Sequence, residues 1–247
     1  MNELLIWIAL GVVSLLLIII KIGTGKDRDG NIRAIIAFEK LEHVISKLLE
    51  NGKRLVIGLG SGYQNSQLSI NGIIGLPAVK CTAKQSLLAD EKPLILSGDG
   101  SLASMSQVAL TETYRGLRAI EQYKQENSFF AGTTSMSYTA SVMAESHAKE
   151  NDGLFLVGHI RPEMLLPVDL VHNKASVSIV SADEPGTQAV IFPNCDSATI
   201  GEEMYGFVLR TESQPWLTAS LKLQDLLRIL IVIGLVAAII LKLFGII

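Results

Sequence analysis

Arg54-Leu55-Val56-Ile57-Gly58-Leu59-Gly60-Ser61-Gly62 is the stretch on which the fold turns. Its first five residues form an apolar run too short for a helix, rich in β-propensity, and closed at once by glycine. That combination reads as a buried strand with a tight turn behind it. The same pattern returns four times, at 93–96, 128–131, 153–157 and 176–180, each run followed directly by glycine or serine. A sixth short run at 189–192 reads as a further strand.

Helical periodicity fills the gaps between the strands. Asn31 is placed to cap a helix that buries Ile32, Ile35, Ile36, Leu41, Ile45, Leu48 and Leu49 and stops at Asn51-Gly52. Pro77 is expected to open the next helix, with Val79, Ala83, Leu87 and Leu88 inward. Leu102, Met105, Val108, Ala109, Leu117 and Ile120 mark a third, and residues 138–150 a fourth, whose alanines and serines allow close approach to a sheet. Pro162 starts a short helix that Pro167 should kink or stop. Thr199 and Glu202 make a capping box for a last helix reaching about Arg210. Apolar strands alternating with amphipathic helices mean βαβ units and a parallel sheet covered on both faces. Residues 31–212 are therefore expected to form a Rossmann-like, three-layer parallel α/β domain.

The ends of the chain have another composition. Of 247 residues, 49% are hydrophobic, and the excess sits at 4–20, which carries no charge, and at 229–247, which carries only Lys242. Both runs approach the length that spans a bilayer core. Transmembrane helices are expected at 4–22 and 226–247. Glu3 near the start and Lys21 behind the first run disfavour a cleaved signal peptide. Lys21, Lys26, Arg28, Arg33, Lys222 and Arg228 all flank the middle domain, so the positive-inside rule puts that domain in the cytoplasm and both termini outside. The result is a two-pass cell-membrane protein with the lipid bilayer as its first partner. Ala9, Gly11 and Ser14, and Gly234 with Ala238, offer small faces for helix contact.

Several function classes fall away. Residues 26–225 hold 18 basic and 23 acidic side chains, a net of −5, which argues against nucleic acid. Cys81 and Cys195 do not make a disulfide framework or a Cys-x-x-Cys pair. P-loop, nucleophile-elbow and His-Glu-x-x-His patterns are missing, and His43, His147, His159 and His172 show no metal-ligand spacing. No catalytic set, cofactor or metal site is read from the sequence.

What remains is the chemistry of the strand ends, where ligands bind in open parallel sheets. Glycine amides, hydroxyls and helix N-termini together suit an anion such as phosphate. The candidate ligand-binding residues are Gly58, Gly60, Ser61 and Gly62 behind the first strand and Asp99 and Ser101 behind the second. Thr133 and Thr134 follow the third strand, and His159 and Arg161 the fourth. Arg161 can pair with the anion and Asp99 can take a ribose hydroxyl. The same residues also serve as ordinary turn and cap chemistry. Asn65 stands where a third glycine of a dinucleotide motif belongs, and Asp99 lies 39 residues beyond Gly60 instead of about 20.

The run 55–62 resembles a signature of a bacterial and archaeal membrane-protein family catalogued only as a domain of unknown function. So do Gly75-Leu76-Pro77-Ala78-Val79, Pro93-Leu94-Ile95-Leu96-Ser97-Gly98-Asp99, Ile200-Gly201-Glu202-Glu203-Met204, and Leu223-Gln224-Asp225-Leu226-Leu227-Arg228. The resemblance covers about 32–241 and implies a membrane-tethered α/β domain, without an activity. Two functions compete. The first expectation is a non-enzymatic homo-oligomeric membrane complex or scaffold. The alternative is a tethered sensor or enzyme for a small anionic ligand, a nucleotide or phosphorylated metabolite.

Overall fold

The computed structural model describes residues 36–60, 63–64, 67–68, 70–89, 91–174, 176–199, 203–204 and 215–243. The chain divides into two units, Ala34–Thr211 and the pair of flanks Met1–Arg33 and Glu212–Ile247.

In the first unit β1 (Arg54–Gly60), β4 (Leu94–Ser97), β5 (Ser128–Phe130), β6 (Asn151–His159), β7 (Val177–Ala182) and β8 (Ser197–Thr199) form one sheet in the order β5-β4-β1-β6-β7-β8. Every pairing in it is parallel. The expected parallel α/β sheet is borne out. Counted along this sheet alone, the order is 3-2-1-4-5-6, the doubly wound arrangement. Its direction of travel reverses between β1 and β6.

Alternation along the strands builds two cores. Leu55, Ile57, Leu59, Ile95, Phe155, Val157 and Ile179 face one side. There they meet α1 (Ile36–Glu50), α3 (Gly75–Gln85) and α4 (Gly100–Gly116), through residues such as Leu41, Ile45, Val79, Ala83, Leu102 and Leu110. Val56, Leu94, Leu96, Leu154, Leu156 and Val180 face the other side. They meet α5 (Ser135–His147), α6 (Leu165–Asn173) and α7 (Pro185–Ile191) through Tyr138, Val142, Val168, Val171 and Ile191. Right-handed crossovers running in opposite directions from β1 and β6 require this division of helices between faces. Burial on both sides explains why the strands read as continuous apolar runs.

Several local expectations are corrected. Helix α3 starts at Gly75, and Pro77 is its third residue. Helix α6 carries Pro167 at the equivalent position and continues to Asn173. Amides of a first helical turn have no intrahelical acceptor, so proline is tolerated there. Val108 is exposed on α4, while Leu117 and Ile120 lie beyond its end and are exposed too. Residues 189–192 do not form a strand: Pro185 starts helix α7, which takes in 189–191, and Phe192 opens a 3-10 turn behind it. The sixth strand is β8 instead, and Thr199 belongs to it, its hydroxyl 2.5 Å from that of Ser181. The capping box expected from Thr199 and Glu202, and most of the helix expected to reach Arg210, lie outside the described residues. The polar stretch behind β1 holds a small antiparallel hairpin, β2 (Tyr63–Gln64) with β3 (Gln67–Leu68), followed by α2 (Ile70–Ile73).

In the second unit the described element is α8 (Pro215–Leu243), 29 residues long. Ile229, Leu230, Ile231, Val232, Ile233 and Leu235 are each 54–62% exposed. Among the described residues no helix is long and apolar enough to cross a membrane. The side chains at 236–241 and residues 244–247, which complete this apolar run, lie outside the description, as does the whole of 4–22.

Candidate functional site

Where the sheet order reverses, Gly60 of β1 lies in register with His159 of β6. Gly60 has φ +69°, and a Cβ there would collide with the His159 carbonyl oxygen. Only glycine combines that backbone with that approach. The Gly60 N–H donates to Tyr138 Oη at 2.9 Å, and its carbonyl accepts from Gly98 N–H at 2.8 Å. Tyr138 Oη donates onward to the Leu96 carbonyl at 3.4 Å. Burial pushes the Tyr138 pKa far up, against the hydrogen bond from Gly60, so the phenol keeps its proton. Gly58 is closed in as well, by Leu156 and the Tyr138 hydroxyl. The backbone behind β1 thus ties β1, β4 and α5 together, and the Gly60 amide is spent inside the protein.

The second strand end is organised by Asp99, the N-cap of α4. Its Oδ1 accepts from Ser101 N–H at 2.6 Å and from Leu102 N–H at 3.4 Å. The side chain is only 6% exposed, and Oδ2 has no hydrogen-bond partner among the described residues. Ser97 Oγ, two residues earlier, is in the same condition. At the third strand end Thr134 caps α5 with a reciprocal capping box. Its Oγ1 accepts from Ser137 N–H at 3.1 Å, and its own N–H donates to Ser137 Oγ at 3.0 Å.

The fourth strand end carries the strongest electrostatics. His159 Nδ1 lies 2.9 Å from Asp183 Oδ2 and 3.1 Å from Oδ1, and both residues are largely buried. Asn71 Nδ2 donates to the same carboxylate at 2.7 Å. The hydrogen bond to Asp183 raises the His159 pKa above the ordinary imidazole value, in spite of the opposing effect of burial. For Asp183 burial acts upward, but the hydrogen bonds from His159 and Asn71 outweigh it and hold the carboxyl below its ordinary range. With Asp183 on Nδ1, Nε2 is the ring nitrogen left to change its protonation.

These strand ends enclose a cleft of about 520 Å³. Asp99, Thr133, Thr134, His159 and Arg161 line it, together with Gly98, Gly100, Phe130, Ser135, Tyr138 and Met164. Five of the ten residues singled out in the sequence therefore meet in one place. Gly58, Gly60 and Ser101 lie outside its lining, and Ser61 and Gly62 are outside the described residues. Tyr138, Asp183 and Asn71 were not anticipated. Asp183 carries a weak signal in sequence, since it directly follows the fifth strand. Among the described residues no three of His, Cys, Asp and Glu group to hold a metal.

The spacing of Asp99 from Gly60 also finds its cause. The hairpin, α2 and α3 all lie between β1 and β4 and lengthen the first crossover. Asp99 nonetheless lies two residues beyond the end of β4, close to the position from which an acid reaches a ribose hydroxyl in doubly wound folds.

The model of DUF6754, a domain of unknown function, matches residues 1–247. The chain belongs to this family. The DUF6754 match takes in both flanks as well as the α/β unit, so the expected domain of unknown function covers the whole chain, and the match carries no statement about a membrane. Neither the characterised proteins nor the solved structures compared with the chain gave a match.

Proposed function

We propose that this chain is a membrane-anchored, Rossmann-like α/β domain that binds a small hydroxyl-bearing anion in the cleft between the ends of β4, β5 and β6. The supporting observation is the convergence there of Arg161, His159 and a buried carboxylate with an unpartnered oxygen. A buried acceptor without a donor costs about 1–3 kcal/mol, and a ligand hydroxyl entering the cleft relieves that cost. Arg161 is exposed and forms no ion pair among the described residues, so its guanidinium is available to a phosphate. The cleft volume lies within the range of small-molecule sites, about 300–1,000 Å³. The acidic composition keeps nucleic acid out of this reading.

Membrane attachment is supported by α8. Five consecutive exposed apolar positions, Ile229 to Ile233, go once around a helix of 3.6 residues per turn. A helix apolar on every side needs lipid or protein around it. Basic residues on the domain side of both apolar runs favour a cytoplasmic domain. The same exposed surface also fits the second reading, a homo-oligomeric, non-enzymatic complex built through these helices.

A thermal-shift screen of the full chain in detergent, with nucleotides, phosphorylated metabolites and their dephosphorylated counterparts, tests the ligand reading. A true ligand at a hundredfold excess over its Kd stabilises by about 2.7 kcal/mol. Asp99→Asn keeps the α4 cap, because asparagine caps as well as aspartate, and should still weaken the ligand. A screen without a hit ends this reading and leaves the assembly reading, which a monomer in mild detergent would in turn defeat.

A further inference from the structure

The charges of the cleft do not favour an anion until a proton is added. Asp99 and Arg161 of the lining, taken with Asp183 behind His159, leave a formal charge of −1 when the imidazole is neutral and zero when it is protonated. Glu184, the N-cap residue of α7, adds a further negative field on His159, and the protonated Tyr138 adds none. Arg161 acts in the opposite sense on His159. The nitrogen that would take the proton is fixed by geometry. Asp183, itself held by Asn71, occupies Nδ1 at 2.9 Å, and among the described residues Nε2 has no hydrogen-bond partner in a ring that lines the cleft.

We infer that the ligand is a phosphomonoester-type dianion clamped between the Arg161 guanidinium and Nε2–H of a protonated His159, and that its binding takes up a proton from solvent. The inference rests on the ligand-binding reading above and deepens it. Asp99 then meets a hydroxyl on the same ligand, which separates the acidic and basic ends of the cleft by function. Bringing a dianion to Nε2 raises the imidazole pKa further, because an opposite charge in contact favours the charged form. Equal linkage in the other direction makes affinity rise as pH falls.

Sulfate is the probe, since it remains a dianion throughout the range in which histidine titrates. Calorimetry on the full chain in detergent, in buffers of different ionisation enthalpy, counts protons. The expected result is uptake approaching one proton per sulfate where His159 is neutral. Affinity should fall close to tenfold per pH unit above the free-protein pKa of His159. His159→Gln should flatten this dependence, while Arg161→Ala should weaken sulfate about tenfold or more and keep the slope. The proton count on the unmodified chain stands even if His159→Gln fails to fold. Sulfate affinity independent of pH overturns the inference and leaves the ligand reading standing. So does a cleft that binds a neutral or cationic hit from the screen and ignores sulfate. Sulfate binding indifferent to Arg161→Ala marks an adventitious ion only and also overturns it. A screen without any hit removes both.

Discussion

Adding one methyl group at Gly58 tests whether the β1 turn is built around Tyr138. A Cβ at Gly58 would lie 2.6 Å from Leu156 Cδ2 and 2.8 Å from Tyr138 Oη. Leu156 is fully buried and Tyr138 nearly so, so neither has free space to retreat into. The tyrosine hydroxyl would have to leave the Gly60 N–H and the Leu96 carbonyl, at 2.9 and 3.4 Å. Overpacking costs about 1–3 kcal/mol, and a buried amide left unpaired about 1–3 kcal/mol more. Gly58→Ala should therefore destabilise the domain by roughly 2–6 kcal/mol. For a domain of this size that lowers Tm by something like 5–15 °C. Tyr138→Phe removes the clashing oxygen and costs only the hydrogen bonds, about 1–3 kcal/mol. The double variant should then be less destabilised than the sum of the singles, by on the order of 1 kcal/mol or more, as contacting residues show in mutant cycles. Urea unfolding of the full chain, followed by circular dichroism, measures all four corners. Additive effects, or a Gly58→Ala protein as stable as the parent, would refute the packing argument.

Other outcomes follow from particular contacts. Stability should carry a His159–Asp183 signature in pH. The raised imidazole contributes fully below its unfolded value of about 6.5 and is lost as pH climbs through its folded value. The lowered carboxyl contributes above its unfolded value of about 3.9 and is lost as pH falls through its folded one. The difference between parent and Asp183→Asn should thus be greatest between about pH 4 and 6.5, and a flat difference across that range would sink the pair. Thr134→Ala should cost about 1 kcal/mol by opening the α5 capping box, with Thr134→Ser nearly neutral; equal unfolding curves for all three would contradict it. In a Cys81→Ser, Cys195→Ser background, a cysteine at exposed Ser104 should be shielded from external thiol reagents and one at Asn2 should be reached. The reverse pattern would invert the proposed orientation. Gly234→Leu should reduce oligomer size in mild detergent if α8 self-associates through its small face, and an unchanged size removes that face from the assembly reading.

The class of fold was legible in the residues alone. Val56-Ile57 and Leu154-Phe155-Leu156-Val157 are apolar on both faces, and that pattern is stable only between two helix layers. The sequence was weaker wherever a local signal has two meanings. Residues 189–192 have the composition of a strand, yet Pro185 nucleates a helix that takes in 189–191, and proline's preset φ favours the helix start. Val108 has the right period but faces solvent, because the side of a helix that meets the sheet is set by crossover geometry.

At the strand ends the sequence supplied Asp99, Thr133, Thr134, His159 and Arg161 from loop chemistry alone, since a parallel sheet brings all its carboxyl ends to one edge. Tertiary structure decided how those groups are used. It spent the Gly60 amide on Tyr138, 78 residues away, and left Asp99 Oδ2 without a partner. It also set Asp183 against His159 by placing β7 next to β6. Each of these pairings joins residues far apart in the chain. Spacing along a sequence encodes helix faces and strand alternation, but which strands become neighbours is fixed only when the sheet closes.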